Sequence, residues 1–321
     1  MKCWLPVCLA FAAAGSAVAA DYRAPRTAAG DPELEGAWTT STLTPFERPD
    51  ELKALVLTEA EAAAFERKYR GKPPPIPDDA LGAADSEWWE TDVPLVRIRG
   101  QARSSWIVAP ADGKTAYTAA AKAANMARRE RSKTNFDHPE VRPDGERCLA
   151  PAAAPLEAGP YNNGFLLLQT PGAVVIHIEW MSELRIVRLD EDRGAKTAVR
   201  SRTGASSGWW EGETLVVRTT GFAPAVVRAP DGDPTADMLV IERFTRTSPA
   251  ELHYSFLISN PSRYVQPLQG ETVFSATSER LFEFACHEGN YALGNVLAGG
   301  RAQDVAAAAA KASGAGAASP P

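Results

Sequence analysis

Residues 165–189 read FLLLQTPGAVVIHIEWMSELRIVRL, and this stretch decides the fold. Two runs rich in apolar and β-branched residues, 165–169 and 173–180, are separated by Thr170-Pro171-Gly172, which is typical of a hairpin turn. A third run, 184–189, follows after a very short connection. Three such runs in series predict neighbouring antiparallel strands.

The same pattern continues to the C-terminal part of the chain. Trp209-Trp210 and 214–219 flank Glu211-Gly212, and 238–245 and 251–258 flank Ser248-Pro249-Ala250. The runs 272–275 and 280–286 come last. Short strands with turns at regular spacing predict a mostly β, antiparallel, barrel-like domain over residues 34–302. The strand start Gly36-x-Trp38 suggests by analogy a lipocalin-like shape.

Helices are predicted in the N-terminal half and near the end. Thr58 and Glu61 have capping-box spacing and predict a helix over 59–70, and Thr118 predicts an alanine-rich helix over 118–131. Residues 71–85 are proline-rich and predict a stiff linker, and 287–298 predicts a short helix. We expect residues 21–33 to be flexible and the Ala/Gly/Pro tail 303–321 to be disordered.

The first twenty residues have the order of a cleavable signal peptide. A short basic start, Met1-Lys2, precedes an apolar centre and the small residues Ala17-Val18-Ala19. We expect cleavage after Ala19 or Ala20, and a protein that is periplasmic or secreted. No other stretch is apolar enough to span a bilayer.

Charge and cysteine content limit the function further. A net charge of -6 gives no support to nucleic-acid binding, which needs a basic face. Cys3 and Cys8 leave with the signal peptide, so Cys148 and Cys286 remain. In an oxidising compartment two cysteines most simply form one disulfide, while a reactive thiol or a metal ligand is the alternative.

Standard catalytic motifs are missing from the sequence. There is no phosphate-binding glycine loop, no G-x-S-x-G and no H-E-x-x-H. The four histidines do not have metal-ligand spacing, so we predict neither a metal nor a cofactor. His287 and Glu288 are the candidate acid–base pair, although a structural role beside Cys286 explains them equally well.

Three charged residues in predicted strands are candidates for the barrel interior. Alternation places Glu179 on one face, and Arg185 follows on the next strand. Glu242 shares its face with Val240 and Phe244. Because an unpaired buried charge is strongly unfavourable, we predict one inward cluster of Glu179, Arg185 and Glu242 that orients a ligand. The alternative is a set of exposed ion pairs.

Five motifs follow one another along the chain: ERCL at 146–149, GPYNN at 159–163, WEGETLVV at 210–217, ERFTR at 242–246 and CHEGNY at 286–291. Taken together in this order, they resemble a large family of uncharacterised exported bacterial proteins. The resemblance covers about residues 34–301. Relatives commonly place His-Asp where this chain has Ser182-Glu183, Asp at Ala205 and Arg218, and His at Leu239. If the family has a catalytic site, the resemblance implies an altered or inactive version here. If the family binds a ligand, the resemblance implies that these substitutions alter the binding pocket.

The leading interpretation is a protein that binds a small apolar or amphipathic ligand in a barrel pocket. The first alternative is a lyase or hydrolase that uses His287, Glu288, Glu179 and Glu242. The second is an envelope structural or interaction protein without a pocket. The candidate ligand-binding residues are Glu179, Arg185, Trp210, Glu242, Arg243, Tyr161 and Asn162.

Overall fold

Nine strands form a closed β-barrel, which confirms the predicted mostly β, barrel-like fold. The computed structural model describes residues 22–72, 90, 92–143, 145–149, 154–159, 161–189, 200–223 and 235–312. The strand order is β1-β5-β6-β7-β8-β9-β10-β11-β12, and pairing of β1 with β12 closes the barrel. The barrel strands are β1 (Gly36–Thr39), β5 (Gly164–Thr170), β6 (Ala173–Ile178), β7 (Glu183–Leu189), β8 (Ala205–Glu211), β9 (Thr214–Thr220), β10 (Leu239–Ser248), β11 (Glu251–Ser259) and β12 (Leu268–Ala276).

Three smaller strands lie between β1 and β5 in the chain. β4 (Ile107–Ala109) adds to the barrel by pairing with β12. β2 (Arg97–Ile98) and β3 (Gln101–Ala102) form a separate two-stranded sheet. The predicted strand over 280–286 is wrong: these residues follow β12 without pairing to another described strand.

Strand directions define two different ends of the barrel. The tight turns of the hairpins β5–β6, β8–β9 and β10–β11 lie at one end, which we call the hairpin end. Gly212, at φ +62°, supplies the left-handed conformation in one of these turns. β1 and β6 finish, and β5 and β7 begin, at the opposite end, which we call the cleft end.

One strand pair departs from the antiparallel expectation. β7 and β8 are parallel, with Val187 opposite Ser206. A parallel pair requires the chain to return from one end of the barrel to the other between the two strands. β7 therefore ends at the hairpin end, and β8 starts again at the cleft end.

Alternation along the strands fills the barrel with apolar side chains. Val174 and Ile176 of β6 and Val240 and Phe244 of β10 are fully buried, whereas the residues between them are less buried or carry polar groups. The interior is thus a packed core, and it is closed by aromatic rings such as that of Phe274.

The two predicted N-terminal helices are present. α1 (Glu59–Tyr69) starts with the predicted capping box between Thr58 and Glu61. Its buried residue Phe65 packs in a second, smaller apolar cluster with Leu57 and Leu95. α2 (Ala119–Thr134) starts at the predicted cap Thr118 and runs one turn further than expected.

Two expectations about loose segments are wrong. Residues 22–33 pack against the barrel: Ala24 is buried, Arg26 pairs with Glu213, and Leu34 N–H donates to Gln169 Oε1 at 2.6 Å. The C-terminal helix, α3 (Ala292–Ala312), begins later than predicted and continues through the start of the expected disordered tail.

The expected signal peptide, most of the proline-rich linker and residues 313–321 lie outside the described residues. In the part of the chain that is described, no helix has both the length and the apolar character needed to cross a membrane.

Candidate functional site: a cleft at the end of the barrel

An open cleft of about 570 Å³ lies at the cleft end of the barrel. Its floor is formed where strands end or begin, at Gly164, Phe165 and Ile178, and its walls come from the segments 40–46 and 155–163. The lining is mainly apolar. Its described apolar and aromatic side chains are Leu43, Pro45, Phe46, Trp106, Leu149, Pro155, Leu156, Ala158, Tyr161, Phe165, Ile178, Trp180 and Met181.

Glu179 shapes one rim of the cleft. β6 ends at Ile178, and Glu179 takes a helical conformation (φ -61°, ψ -44°) that turns its side chain out of the strand pattern. Its Oε1 accepts from Asn162 Nδ2 at 2.7 Å. A Cβ at residue 164 would lie 2.6 Å from Glu179 Oε2, so a side chain there would displace the carboxylate. Glu179 therefore supports Asn162, which lines the cleft.

Aromatic rings continue this rim. The ring of Tyr161 lies 5.1 Å from that of Trp180, which in turn lies 5.2 Å from that of Phe284. Such tilted pairs stabilise one another by about 0.5–1.5 kcal/mol beyond the area they bury. The rim is thus a defined apolar surface.

Asn163 fixes the wall segment that adjoins this rim. Its Oδ1 accepts from Gly159 N–H at 2.7 Å and from Thr40 Oγ1 at 3.2 Å. Because both bonds go to the oxygen, they set the orientation of the side-chain amide. The amide nitrogen Nδ2 is buried and has no hydrogen-bond partner among the described residues.

The charged side chains among the described lining residues are carboxylates. Glu157 and Glu183 line the cleft, and none of its described lining residues is Lys, Arg or His. Burial raises the pKa of the Glu183 carboxyl, and the nearby positive charge of Arg202 opposes this shift.

Below the cleft, a buried polar network crosses five strands of the barrel. Arg185 on β7 makes a two-point contact with Glu242 on β10, with Nη1 donating to Oε1 at 3.0 Å and Nη2 to Oε2. Arg185 also donates to Ser206 Oγ on β8 and Thr219 Oγ1 on β9, both at 2.9 Å. Tyr254 on β11 donates to Glu242 Oε1 at 2.8 Å. All five side chains are buried.

Tyr254 connects this network to the cleft wall. Burial, together with the charge of Glu242, raises the pKa of Tyr254 well above its usual value, so the phenol stays neutral and donates its proton. Its Oη also accepts from Leu156 N–H at 2.9 Å. Leu156 lines the cleft, so the network holds the wall segment in place.

The predicted cluster of Glu179, Arg185 and Glu242 is therefore corrected: Arg185 and Glu242 lie together, and Glu179 lies elsewhere. Arg185 pairs with Ile176 across β6 and β7 and points inward with it, as Glu242 does from β10. Glu179 lies beyond the end of β6 and contacts Asn162, because the backbone turn removes it from the strand face. Arg185 and Glu242 belong to the core below the cleft and do not line it.

Other predicted site residues lie away from the cleft. Trp210 packs against the core near the hairpin end. Arg243 points outward and pairs with Glu211 at 2.9 Å. His287 and Glu288 are exposed in a turn before α3, and neither lines the cleft. Of the seven candidate ligand-binding residues, the cleft is lined by Tyr161 and Asn162.

Several cleft residues have only weak sequence signals. Trp106 directly precedes the short strand β4, and Asn163 is the last residue of the GPYNN motif. Both come from segments that meet β5 and β6 only in the folded barrel. Local alternation of apolar and polar residues does not predict that these segments come into contact.

The predicted disulfide between Cys148 and Cys286 is present, with the Cα atoms 5.6 Å apart. It joins the segment 145–149, which reaches the cleft through Leu149, to the chain after β12. Asn290 reinforces the junction by donating to Glu146 O at 2.9 Å.

No group of three or more His, Cys, Asp or Glu side chains that could hold a metal ion occurs in the described ranges. Comparison with protein families, with curated proteins and with solved structures finds no significant match. The fold and the site thus define a closed, mixed nine-stranded barrel with an apolar cleft at one end.

Proposed function

We propose that this protein binds a small apolar or amphipathic molecule in the cleft at the end of the barrel. The observation that carries the proposal is the cleft itself, which has about 570 Å³ of space and a mainly aromatic and aliphatic lining. Pockets of this size and character are those that small ligands fill in other proteins.

The rigidity of the walls supports the proposal. Hydrogen bonds hold the wall at three points, between Asn163 and Gly159, between Tyr254 and Leu156 and between Glu179 and Asn162. A preformed site loses less conformational entropy on binding, which favours affinity. The buried network is therefore a support for the site.

We further propose that the protein works after export, in the periplasm or outside the cell. The disulfide supports this location because such bonds persist in oxidising compartments. The signal-like sequence of residues 1–20 supports it independently.

Within the described part of the chain, no contact favours the alternative of a hydrolase or lyase. His287 and Glu288 are exposed, while Glu242 lies at the centre of the barrel, bonded to Arg185 and Tyr254. These groups do not converge on one space that a substrate could enter.

The binding proposal can be tested with N-phenyl-1-naphthylamine, a neutral apolar dye that fluoresces strongly in apolar surroundings. We expect saturable binding of one dye per chain. Trp180→Ala removes one wall of the cleft and should weaken binding about two- to tenfold, the equivalent of one aromatic contact.

Trp209→Ala is the matched control. Trp209 is also half-buried, but it lies on β8, its indole N–H donates to Glu211, and it does not line the cleft. We expect its dye affinity to equal that of the parent. Failure of the parent to bind the dye, or equal loss in both variants, would overturn the proposal.

A further inference from the structure

The helix α2 contacts the rest of the protein along one narrow side. Of its 16 residues, Ala121 is the buried one. On the same side, Asn125 Oδ1 accepts from an arginine of the segment after β11, and the carbonyl of Ser132 accepts from an arginine of the segment after α2. Residues 121, 125 and 132 lie on one face of a helix, so the rest of the helix surface is open to a partner.

A row of cations runs along the open surface. Lys122, Met126, Arg129 and Lys133 recur at intervals of three and four residues, so they line up along the helix. We call this row the cationic stripe. Its four side chains are exposed, Met126 to 72%. No ion pair or side-chain hydrogen bond joins its three cations to another residue in the part of the chain that the structure describes.

The cationic stripe has the opposite sign to the whole protein. The chain has a net charge of -6, whereas α2 carries five Lys and Arg residues and one carboxylate, Glu130, which gives the helix +4. The next carboxylates in the chain, Asp137 and Glu140, follow beyond the last turn of the helix. Charge separated in this way attracts a surface of opposite sign and orients the protein towards it. The charges therefore indicate an anionic partner.

The exposed methionine favours a bilayer over a soluble polyanion as that partner. Met126 lies between Lys122 and Arg129 in the stripe, and the neighbouring Ala123 and Ala127 are exposed as well. Helices that lie in a membrane interface combine an apolar surface with flanking cations, because the apolar groups enter the headgroup region while the cations contact lipid phosphates. A polyanion in solution offers no apolar layer to Met126. A straight row of about 16 Å, at 1.5 Å per residue, also matches a flat surface.

We propose that α2 is a docking surface for an anionic lipid bilayer. The cationic stripe contacts lipid phosphate groups, and Met126 enters the interface between them. The contact is peripheral and does not use the cleft at the end of the barrel. It therefore holds or fails independently of the proposed ligand binding.

Sedimentation with lipid vesicles tests the proposal. The full chain is mixed with vesicles of phosphatidylglycerol and phosphatidylcholine in equal parts, or of phosphatidylcholine alone, and the partition coefficients onto the two are compared. We expect the anionic vesicles to be preferred about tenfold or more at low ionic strength, because each cation near an anionic surface contributes about fivefold. The preference should fall as salt is added, since salt screens exposed charges.

Lys122→Gln/Arg129→Gln/Lys133→Gln should abolish most of this preference, and it keeps residues that form helices well. The matched control removes the same charge from exposed arginines on other parts of the fold, which also have no ion pair among the described residues. It is Arg67→Gln/Arg99→Gln/Arg188→Gln, and it should leave the preference nearly unchanged. Equal melting temperatures show that both variants fold.

Met126→Gln separates a bilayer from a soluble polyanion. It should weaken binding to the anionic vesicles about threefold, because an apolar side chain no longer enters the interface, and it should leave binding of heparin unchanged. Equal partition onto the two kinds of vesicle, or equal loss in the two triple variants, would overturn the docking surface. Vesicle binding that Met126→Gln leaves unchanged would overturn the bilayer as the partner and favour a soluble polyanion.

Discussion

Arg185 and Glu242 form a two-point ion pair in the interior of the barrel, and Tyr254 Oη donates to the same carboxylate at 2.8 Å. The contact spans β7 to β10, and Ser206 and Thr219 on the strands between them accept from two further guanidinium N–H groups. A buried pair is tolerated only when its remaining hydrogen-bonding capacity is satisfied in this way.

Arg185→Met should strongly destabilise the protein. It leaves the Glu242 carboxylate buried without its cation, which costs about 3–5 kcal/mol of unfolding free energy. Chemical denaturation measures the loss. Arg243→Met is the matched control, because Arg243 is 32% exposed and its surface pair with Glu211 contributes about 1 kcal/mol or less. Equal effects of the two substitutions would contradict a buried network.

The double variant Arg185→Met/Glu242→Leu should be more stable than Arg185→Met alone. It removes the unpaired carboxylate, and well-packed apolar residues often replace a buried ion pair at little cost. Ser206 Oγ and Thr219 Oγ1 still bond to each other, and Tyr254 Oη still accepts from Leu156 N–H. Thermal melting of the two variants checks this. A double variant no more stable than the single one would show that the charge of Glu242 is not the cause of the loss.

Acid stability should depend on Glu271 on the outer face of the barrel. His253, whose Nε2 lies 3.6 Å from Glu271 Oε2, and the charge of Arg103 lower the pKa of Glu271 below its usual value, in spite of partial burial. Since the folded pKa is below the unfolded one, the contribution to stability is present above about pH 4.5 and is lost as the pH falls through the folded value. Unfolding free energies between pH 7 and pH 3 should therefore fall less steeply for Glu271→Gln than for the parent. Parallel curves would refute this role.

Loss of the disulfide should lower stability and loosen the cleft. The bond closes a loop with a sequence separation of 138 residues, which corresponds to about 4–5 kcal/mol in the chain-entropy description. Cys148→Ser/Cys286→Ser should melt well below the parent and bind the naphthylamine dye more weakly, because Leu149 lines the cleft beside Cys148. Mass spectrometry without reductant checks that the parent carries no free thiol at these positions. An unchanged melting temperature in the double serine variant would contradict the expected stabilisation.

The sequence predicts the barrel better than it predicts the site. Alternation in 238–245 correctly places Glu242 inward between Val240 and Phe244, because β10 stays extended throughout. The same reasoning fails at Glu179, where the strand ends one residue earlier. A single backbone turn changes the face of every residue after it.

The cleft was not predictable for a different reason. Asn163 and Trp180 flank the predicted β5–β6 hairpin, but Trp106 is far from both in the chain, and it reaches them because β4, β12, β1 and β5 are successive neighbours in the closed barrel. That arrangement depends on the closure of the sheet between β1 and β12, which pairs residues more than 230 positions apart, as in Trp38 with Ala276. Local sequence patterns do not predict strand pairings between residues so far apart in the chain.

The most direct test of the central claim is photolabelling with benzophenone, a neutral aromatic ketone that forms a carbon–carbon bond to a side chain on irradiation. Two methionines provide an internal comparison: Met181 lines the cleft, and Met126 is 72% exposed on α2. We expect peptide mapping to find label on Met181 or its neighbours in the cleft, with a yield that saturates and falls when N-phenyl-1-naphthylamine is added in excess. Label that appears on Met126 or other surface residues, with none in the cleft and no competition by the dye, would contradict the account.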